Sequence, residues 1–195
     1  MLLRSLVRVR LTKYFPSDRY VVNRCSGADG ILIDMEKGFS KVDDYKLVSF
    51  HRLINSKFTL PMLLVDPVTS NCNAWIPRLI EKKSIHGVAM RNFTIKVDFN
   101  SAVYTMIWDT RKQRITHSII SYHRINDGDL MWNSSIRSAV RGSLECNIRP
   151  LAARTLRITD VKTIAQEFKL LRRMGFTGAV IRNPNLIEMT NKIFE

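Results

Sequence analysis

Basic side chains are the most numerous chemically capable groups in this sequence, and their spacing says what they do. Arg137 and Arg141 stand one helical turn apart, on a face opposite Ile136 and Val140. Arg149, Arg154 and Arg157 follow shortly downstream, and Lys82 with Lys83 ends an amphipathic stretch that begins at Trp75. Others occur at Arg4, Arg8 and Arg10, at Arg91, and at Arg111, Lys112 and Arg114. Cations dispersed in this way neutralise phosphates, a contact that needs only charge at many surface points and weakens steeply with salt. The formal net charge of +14 and pI near 10.1 favour a polyanionic neighbour, nucleic acid or an anionic membrane. The RNA-binding candidates are therefore Arg137, Arg141, Arg149, Arg154, Arg157, Lys82 and Lys83. No RNP-type aromatic platform, zinc finger or helix-turn-helix accompanies them, so sequence-specific RNA reading is not expected.

Other chemistries find little support. Cys25, Cys72 and Cys146 are odd in number, far apart and not in CxxC pairs, which indicates neither a disulfide framework nor a zinc site. His51, His86, His117 and His123 lack zinc-ligand spacing and read as surface or hydrogen-bonded histidines. No apolar run is long enough to cross a bilayer; Leu60 to Val65 contains Pro61 and ends at Asp66. The sequons at Asn92 and Asn133 have no secretory signal beside them. At 195 residues with 45% hydrophobic content, the chain is expected to fold as one domain with a real core.

The elements that must position these side chains alternate between helix and strand. Residues 1–9 have the basic, hydroxylated, acid-free composition of a mitochondrial targeting segment, retained or trimmed by only a few residues. Val7 to Leu11 also alternates with period two, so a first strand competes for the same residues. Residues 10–195 are the α/β domain. Short helical stretches are expected over 18–24, 43–55 and 75–83. Strands are expected at Gly30 to Asp34, Leu60 to Val65, His86 to Met90 and Val103 to Trp108, with a strand or helix end at Ser118 to Tyr122. Ser135 to Asn147 reads as helix. In the last segment, Val161, Ile164, Phe168, Leu171 and Met174 line one helical face, with Asp160 as N-cap and Gly175 as left-handed C-cap. Phe176 folds back on the last turn. Ala179-Val180-Ile181 is a short buried strand, Asn183-Pro184 a turn, and Leu186 to Phe194 a final amphipathic helix.

This last segment resembles the citrate lyase beta subunit-like lyases, the family of malyl-CoA and citramalyl-CoA lyases and HpcH/HpaI-type aldolases. Gly175-Phe176-Thr177-Gly178, Asn183-Pro184, Ile187 and Asn191 to Phe194 fall on a G-F-D-G…H-P…I…V-N-x-x-F pattern without a gap. Gly27-Ala28-Asp29, Asp34 and Glu36 are similar to the family's G-A-D-x-x-I-L-D-L-E-D, and Arg10 stands six residues before Pro16 as a family arginine does. The resemblance implies a TIM-type (β/α) barrel, shortened or incomplete at 195 residues, with helices or loops reduced between Thr94 and Trp132. A curtailed barrel would leave edges for a partner protein to cover.

The same resemblance implies an active site that is largely lost. Lys37, Leu64, Asn92 and Asn183 stand where the family has an acid, an arginine, a lysine and a histidine, so Arg10, Asp34, Glu36 and Asn183 are expected as vestiges. Asp109 and Asp129 occupy the places of the magnesium-binding carboxylates, which would matter only if chemistry survives. The expectation is thus a degenerate lyase-like pseudoenzyme without cofactor. It would be a structural subunit of a large assembly in the mitochondrial matrix, foremost the mitochondrial ribosome, contacting rRNA and neighbouring proteins. The alternatives are a magnesium-dependent acyl-CoA carbon-carbon lyase or thioesterase, and a structural subunit of a respiratory or ATP synthase complex.

Overall fold

Alternation of apolar side chains along successive short segments builds a sheet with two dry faces. The computed structural model describes residues 3–10, 23–35, 62–67, 80–81, 85–97, 100–122, 130–154 and 160–195. Its strands are β1 (Ser5–Arg10), β2 (Gly30–Met35), β3 (Met62–Pro67), β4 (Gly87–Val97), β5 (Asn100–Asp109), β6 (Arg114–Tyr122), β7 (Arg149–Arg154) and β8 (Gly178–Ile181). Helices α1 (Leu130–Glu145), α2 (Val161–Arg173) and α3 (Ile187–Phe194) follow β6, β7 and β8, with a 3-10 turn at Pro184–Leu186. Of the early helices expected, residues 23–24 and 80–81 are helical and the remainder, 43–55 included, lies outside the described residues.

The eight strands pair in sequence order and close into a barrel, β8 lying parallel to β1. Seven strands run in one direction. β5 alone is antiparallel to both its neighbours, β4 and β6. The shortening expected between Thr94 and Trp132 thus takes the form of two successive reversals without helices. The sheet closes, yet β4 beyond Val88 pairs with β5 alone, so among the described residues an edge of the kind expected for a partner to cover runs along the β4–β5 hairpin.

Strand alternation separates two apolar layers. Leu3, Leu6, Leu32, Ala89, Ile107, Ile119 and Leu151 fill the barrel interior. Their chain neighbours Val7, Ile31, Ile33, Val88, Met106, Ile120 and Ala152 face outward and pack with the helices. On that outer side Phe168 of α2 meets Phe194 of α3 with ring centroids 5.7 Å apart and planes tilted by 55°, a geometry that adds about 1 kcal/mol to simple burial.

The N-terminal residues belong to this barrel. Leu3 and Leu6 are fully buried, and β1 is hydrogen-bonded on both sides, so residues 5–9 are a barrel strand whatever targeting information they also carry. Closure depends on a near approach of backbones: a Cβ on Gly178 would stand 2.1 Å from the Leu3 carbonyl oxygen. Asp29 locks the same corner. Its Oδ2 accepts from the Arg4 amide at 2.8 Å and from Arg4 Nε at 2.9 Å, while Oδ1 accepts from Arg4 Nη2 at 3.0 Å.

The caps expected in the last segment are present. Asp160 accepts from the amides of Lys162 and Thr163. At the other end of α2, Gly175 has φ of +99°, its amide donates to Arg172 O at 3.0 Å, and the Phe176 amide reaches Leu171 O at 3.2 Å, a Schellman closure. Asn183 Oδ1 accepts from the Asn185 amide at 3.1 Å on the exposed surface. Gly175→Val, which forces a β-branched residue into the left-handed region with Val140 only 3.1 Å from the new Cβ, should cost about 2 kcal/mol or more and lower Tm by roughly 4–8 °C. Asn183→Ala loses only a cap, about 1 kcal/mol. Thermal denaturation of the two variants checks the order; equal losses would mean that Asn183 holds more than its own turn.

Candidate functional site

Barrels of this kind place their chemistry at the carboxyl ends of the parallel strands. At that rim, Arg10 on β1 is level with Asp34 on β2, and Asp34 with Asp66 on β3. Leu64 lies level with Leu32 and Gly87, and the register shift in β4 between Met90 and Phe93 falls on Arg91 and Asn92. Asn183 stands just beyond the end of β8, its carboxamide used as the cap of the 3-10 turn. The fold therefore brings Arg10, Asp34 and Asn183 to one rim. Glu36 and Asp129 lie outside the described residues.

Asp109 is elsewhere. Because β5 runs in reverse, its last residue reaches the amino-terminal end of the barrel, level with Gly87 at the start of β4 and Arg114 at the start of β6. The side chain is 4% exposed, and Oδ1 accepts from the amides of Arg111 and Lys112, both at 2.9 Å. It is the Asx cap of the β5–β6 hairpin. A magnesium ion at the rim is out of its reach, which corrects its assignment as a metal ligand. Among the described residues no group of three His, Cys, Asp or Glu side chains converges to hold a metal. Glu36, Asp129 and the side chains of Asp34 and Asp66 lie outside the described residues, and no magnesium site is assigned to this chain.

The basic candidates divide by environment. Arg137 is exposed on α1, and Arg141 is exposed and paired with Glu145 at 2.8 Å. Arg149 is exposed at the start of β7. Lys82, Lys83 and Arg157 lie outside the described residues. Arg154 requires correction as a surface phosphate contact. Its side chain is 10% exposed, with Nε 3.1 Å from Oε2 of Glu167, itself 5% exposed on α2. Tyr122, level with Arg154 on β6, is buried at the same place, where desolvation and then the Glu167 charge raise its hydroxyl above the ordinary phenol range. The group ties β6 and β7 to α2; it does not face a ligand.

A further basic surface escaped the sequence reading. Lys169, Arg172 and Arg173 of α2 line, with Lys192, Met189 and Ile193 of α3, a groove of about 530 Å³, and Arg172 Nη1 donates to Ile193 O at 2.7 Å. The polar face of α2 was legible from its periodicity. Its alignment with Lys192 depends on how α3 packs, which no local pattern states.

The two segments that carry the family resemblance meet in space: Asn191 Nδ2 donates to the carbonyl oxygen of Gly27 at 2.8 Å. No family model matches the chain, and no curated protein matches it. Among solved structures it is similar to the citrate lyase beta subunit of M. tuberculosis complexed with oxaloacetate and magnesium, at 13% identity and a TM-score of 0.56, over 100% of this chain and 97% of that one. It is similar also to CitE from Mycobacterium tuberculosis complexed with the triphosphate group of ATP, at 14% identity and a TM-score of 0.55, over 100% of each chain. A third structure, CitE from the same organism with magnesium, acetoacetate and coenzyme A, aligns at 14% identity and a TM-score of 0.54, over 97% of this chain and 80% of that one. The chain has a citrate lyase beta subunit-like fold, a shortened TIM-type barrel.

Glu167→Ala leaves the Arg154 cation buried without its carboxylate, a change that costs about 3–5 kcal/mol, whereas Arg137→Ala on the exposed face of α1 should fall within about 0.5 kcal/mol of wild type. Denaturant unfolding of both variants measures the difference. A Glu167→Ala protein as stable as wild type would show that the pair is solvated and that Arg154 is available at the surface after all.

Proposed function

We propose that this chain is a non-catalytic, lyase-like subunit of a large mitochondrial assembly, the mitochondrial ribosome before others, where it contacts rRNA and neighbouring proteins. The observation that carries the reading is the reversal of β5, which sends Asp109 to the opposite end of the barrel from Arg10 and Asp34. A parallel strand at that place would end at the rim, where the resemblance puts a magnesium carboxylate. The CitE structures hold magnesium with oxaloacetate or acetoacetate; for this chain Leu64, Asn92 and Asn183 supply none of the charge that such an anionic substrate needs.

Binding to RNA is supported by charge and its distribution. The net charge is +14, and the exposed cations on α1 and along the α2–α3 groove are separate surfaces. Phosphate contacts made from several such faces position a protein in a ribonucleoprotein without reading bases. No described helix is long and apolar enough to cross a membrane.

The reading is tested by sedimenting tagged protein from mitochondrial lysate in gradients run with and without RNase. Co-migration with a ribosomal subunit, abolished by RNase or by raising the salt, is expected. Migration with membranes that resists RNase would place it in a respiratory or ATP synthase complex instead. Magnesium-dependent cleavage of malyl-CoA or citramalyl-CoA by the pure protein, lost in Asp129→Ala, would establish the enzyme alternative and overturn the proposal.

A further inference from the structure

The amino-terminal end of the barrel, remote from the rim, holds a cavity of about 560 Å³. Three kinds of residue line it. Lys112 and Arg114 come from the β5–β6 hairpin, and Arg149 from the start of β7. Leu144 and Ile148, at the end of α1 and in the turn after it, form an apolar wall, and Thr116, His117, Asn147 and Thr177 complete the lining. No acidic side chain is among them. The nearby Asp109 carboxylate gives its Oδ1 to the hairpin amides, and its charge partly offsets the cations around His117.

The backbone is shaped to present these groups. Gln113 and Asn147 both have positive φ, 53° and 56°. Gln113 turns the hairpin between Lys112 and Arg114. Asn147 closes α1, its amide donating to Leu144 O at 2.9 Å and that of Ile148 to Ser143 O at 2.8 Å.

His117 supplies an independent sign that something polar belongs here. The side chain is 3% exposed, its Nδ1 is 2.9 Å from Thr116 Oγ1, and its Nε2 is buried with no hydrogen-bond partner among the described residues. Burial, and then the neighbouring Arg149 charge, push the imidazole down to about 4, so the ring is neutral at pH 7. The Thr116 hydroxyl can donate to or accept from Nδ1; where it donates, the proton of the neutral ring sits on Nε2. A buried ring nitrogen without a partner is costly, and an anion drawn in by the surrounding cations satisfies it in the Nε2–H tautomer.

We propose that this cavity binds a phosphate ester, its phosphoryl oxygens held by Lys112, Arg114 and Arg149 and by the Nε2–H of His117. Phosphate suits the lining better than carboxylate. It offers more acceptor oxygens and more charge, and it matches guanidinium forks. The cavity is also larger than an inorganic phosphate fills and lies within the range of small-molecule sites, so the Leu144 and Ile148 wall would face the organic part of the ester. The phosphate has two sources, a free nucleotide-like molecule or a strand of RNA. The second extends the RNA-contact reading above, whereas the first stands without it.

The test follows the histidine ring nitrogens of the full-length protein by 1H–15N NMR during titration with inorganic phosphate, with AMP, and with a short single-stranded RNA. A saturable shift of the His117 Nε2 signal is expected for phosphate, with tighter binding of AMP. In Lys112→Ala/Arg114→Ala both affinities should fall roughly tenfold or more at unchanged Tm, while Lys162→Ala, at an exposed cation of α2 away from the cavity, leaves them as in wild type. RNA binding at His117 more tightly than AMP, with a steep salt dependence, assigns the site to RNA; AMP binding more tightly than RNA assigns it to a free ester. The proposal is overturned if none of the three ligands gives a saturable shift, or if the shifts persist undiminished in the double variant. Failure of the RNA arm alone leaves the phosphate-ester site standing. Failure of co-sedimentation with ribosomal subunits, with the AMP shift intact, removes the assembly and keeps the site.

Discussion

Two neighbouring parallel strands cannot be joined by a tight turn; the chain must return to the starting end, which takes a dozen or more residues and usually a helix. That constraint governs this barrel. A sheet that loses helices but keeps its strands must replace parallel neighbours by hairpins, and reversals come in pairs if the following strand is to keep its direction. Here β4, β5 and β6 are joined by two short connections, residues 98–99 and 110–113, and β6 emerges parallel to β7. The sheet therefore still closes through β8 and β1, and the edge that remains among the described residues lies along the β4–β5 hairpin beyond Val88. The single inverted strand is the consequence of saving chain length without opening the barrel.

Closure in turn depends on features that the family signature preserves. Gly178 admits the Leu3 carbonyl, Asp29 holds Arg4 and its amide, and Asn191 ties α3 to the turn before β2. These residues come from the two ends of the sequence and converge where the first and last strands meet. Their chemistry is structural. The residues that carry the resemblance include those that close the sheet, while Leu64 and Asn92 stand where the resemblance implies charge. That division is why the fold is shared with lyases and the function does not follow from it.

Much of the fold was legible because it is written in local chemistry. Asp160 and Gly175 fix the two ends of α2 through caps that a few residues determine, and the alternation in Val7 to Leu11 marked β1 even against a competing targeting composition. The direction of a strand is not written this way. Period-two alternation reads the same forwards and backwards, so Val103 to Trp108 announced a strand and concealed that Asp109 would face the wrong end. Burial of individual cations was equally hidden. Arg154 and Arg137 look alike in sequence, yet Arg154 ends a strand beneath α2 and meets Glu167, whereas Arg137 lies on the outer face of α1. Only the packing of α2 over β7 separates them.

The inversion also redistributes polar groups between the two ends of the barrel. In a regular parallel barrel the amino-terminal end carries stability and the carboxyl-terminal loops carry function. Here β4 and β5 pair as a hairpin out to Val97 and Asn100, beyond the level of the rim residues. The β5–β6 hairpin, by contrast, brings Lys112 and Arg114 to the opposite end, beside Arg149 and above the buried ring of His117. One change of strand direction accounts both for the position of Asp109 away from the rim and for the basic turn at the other end.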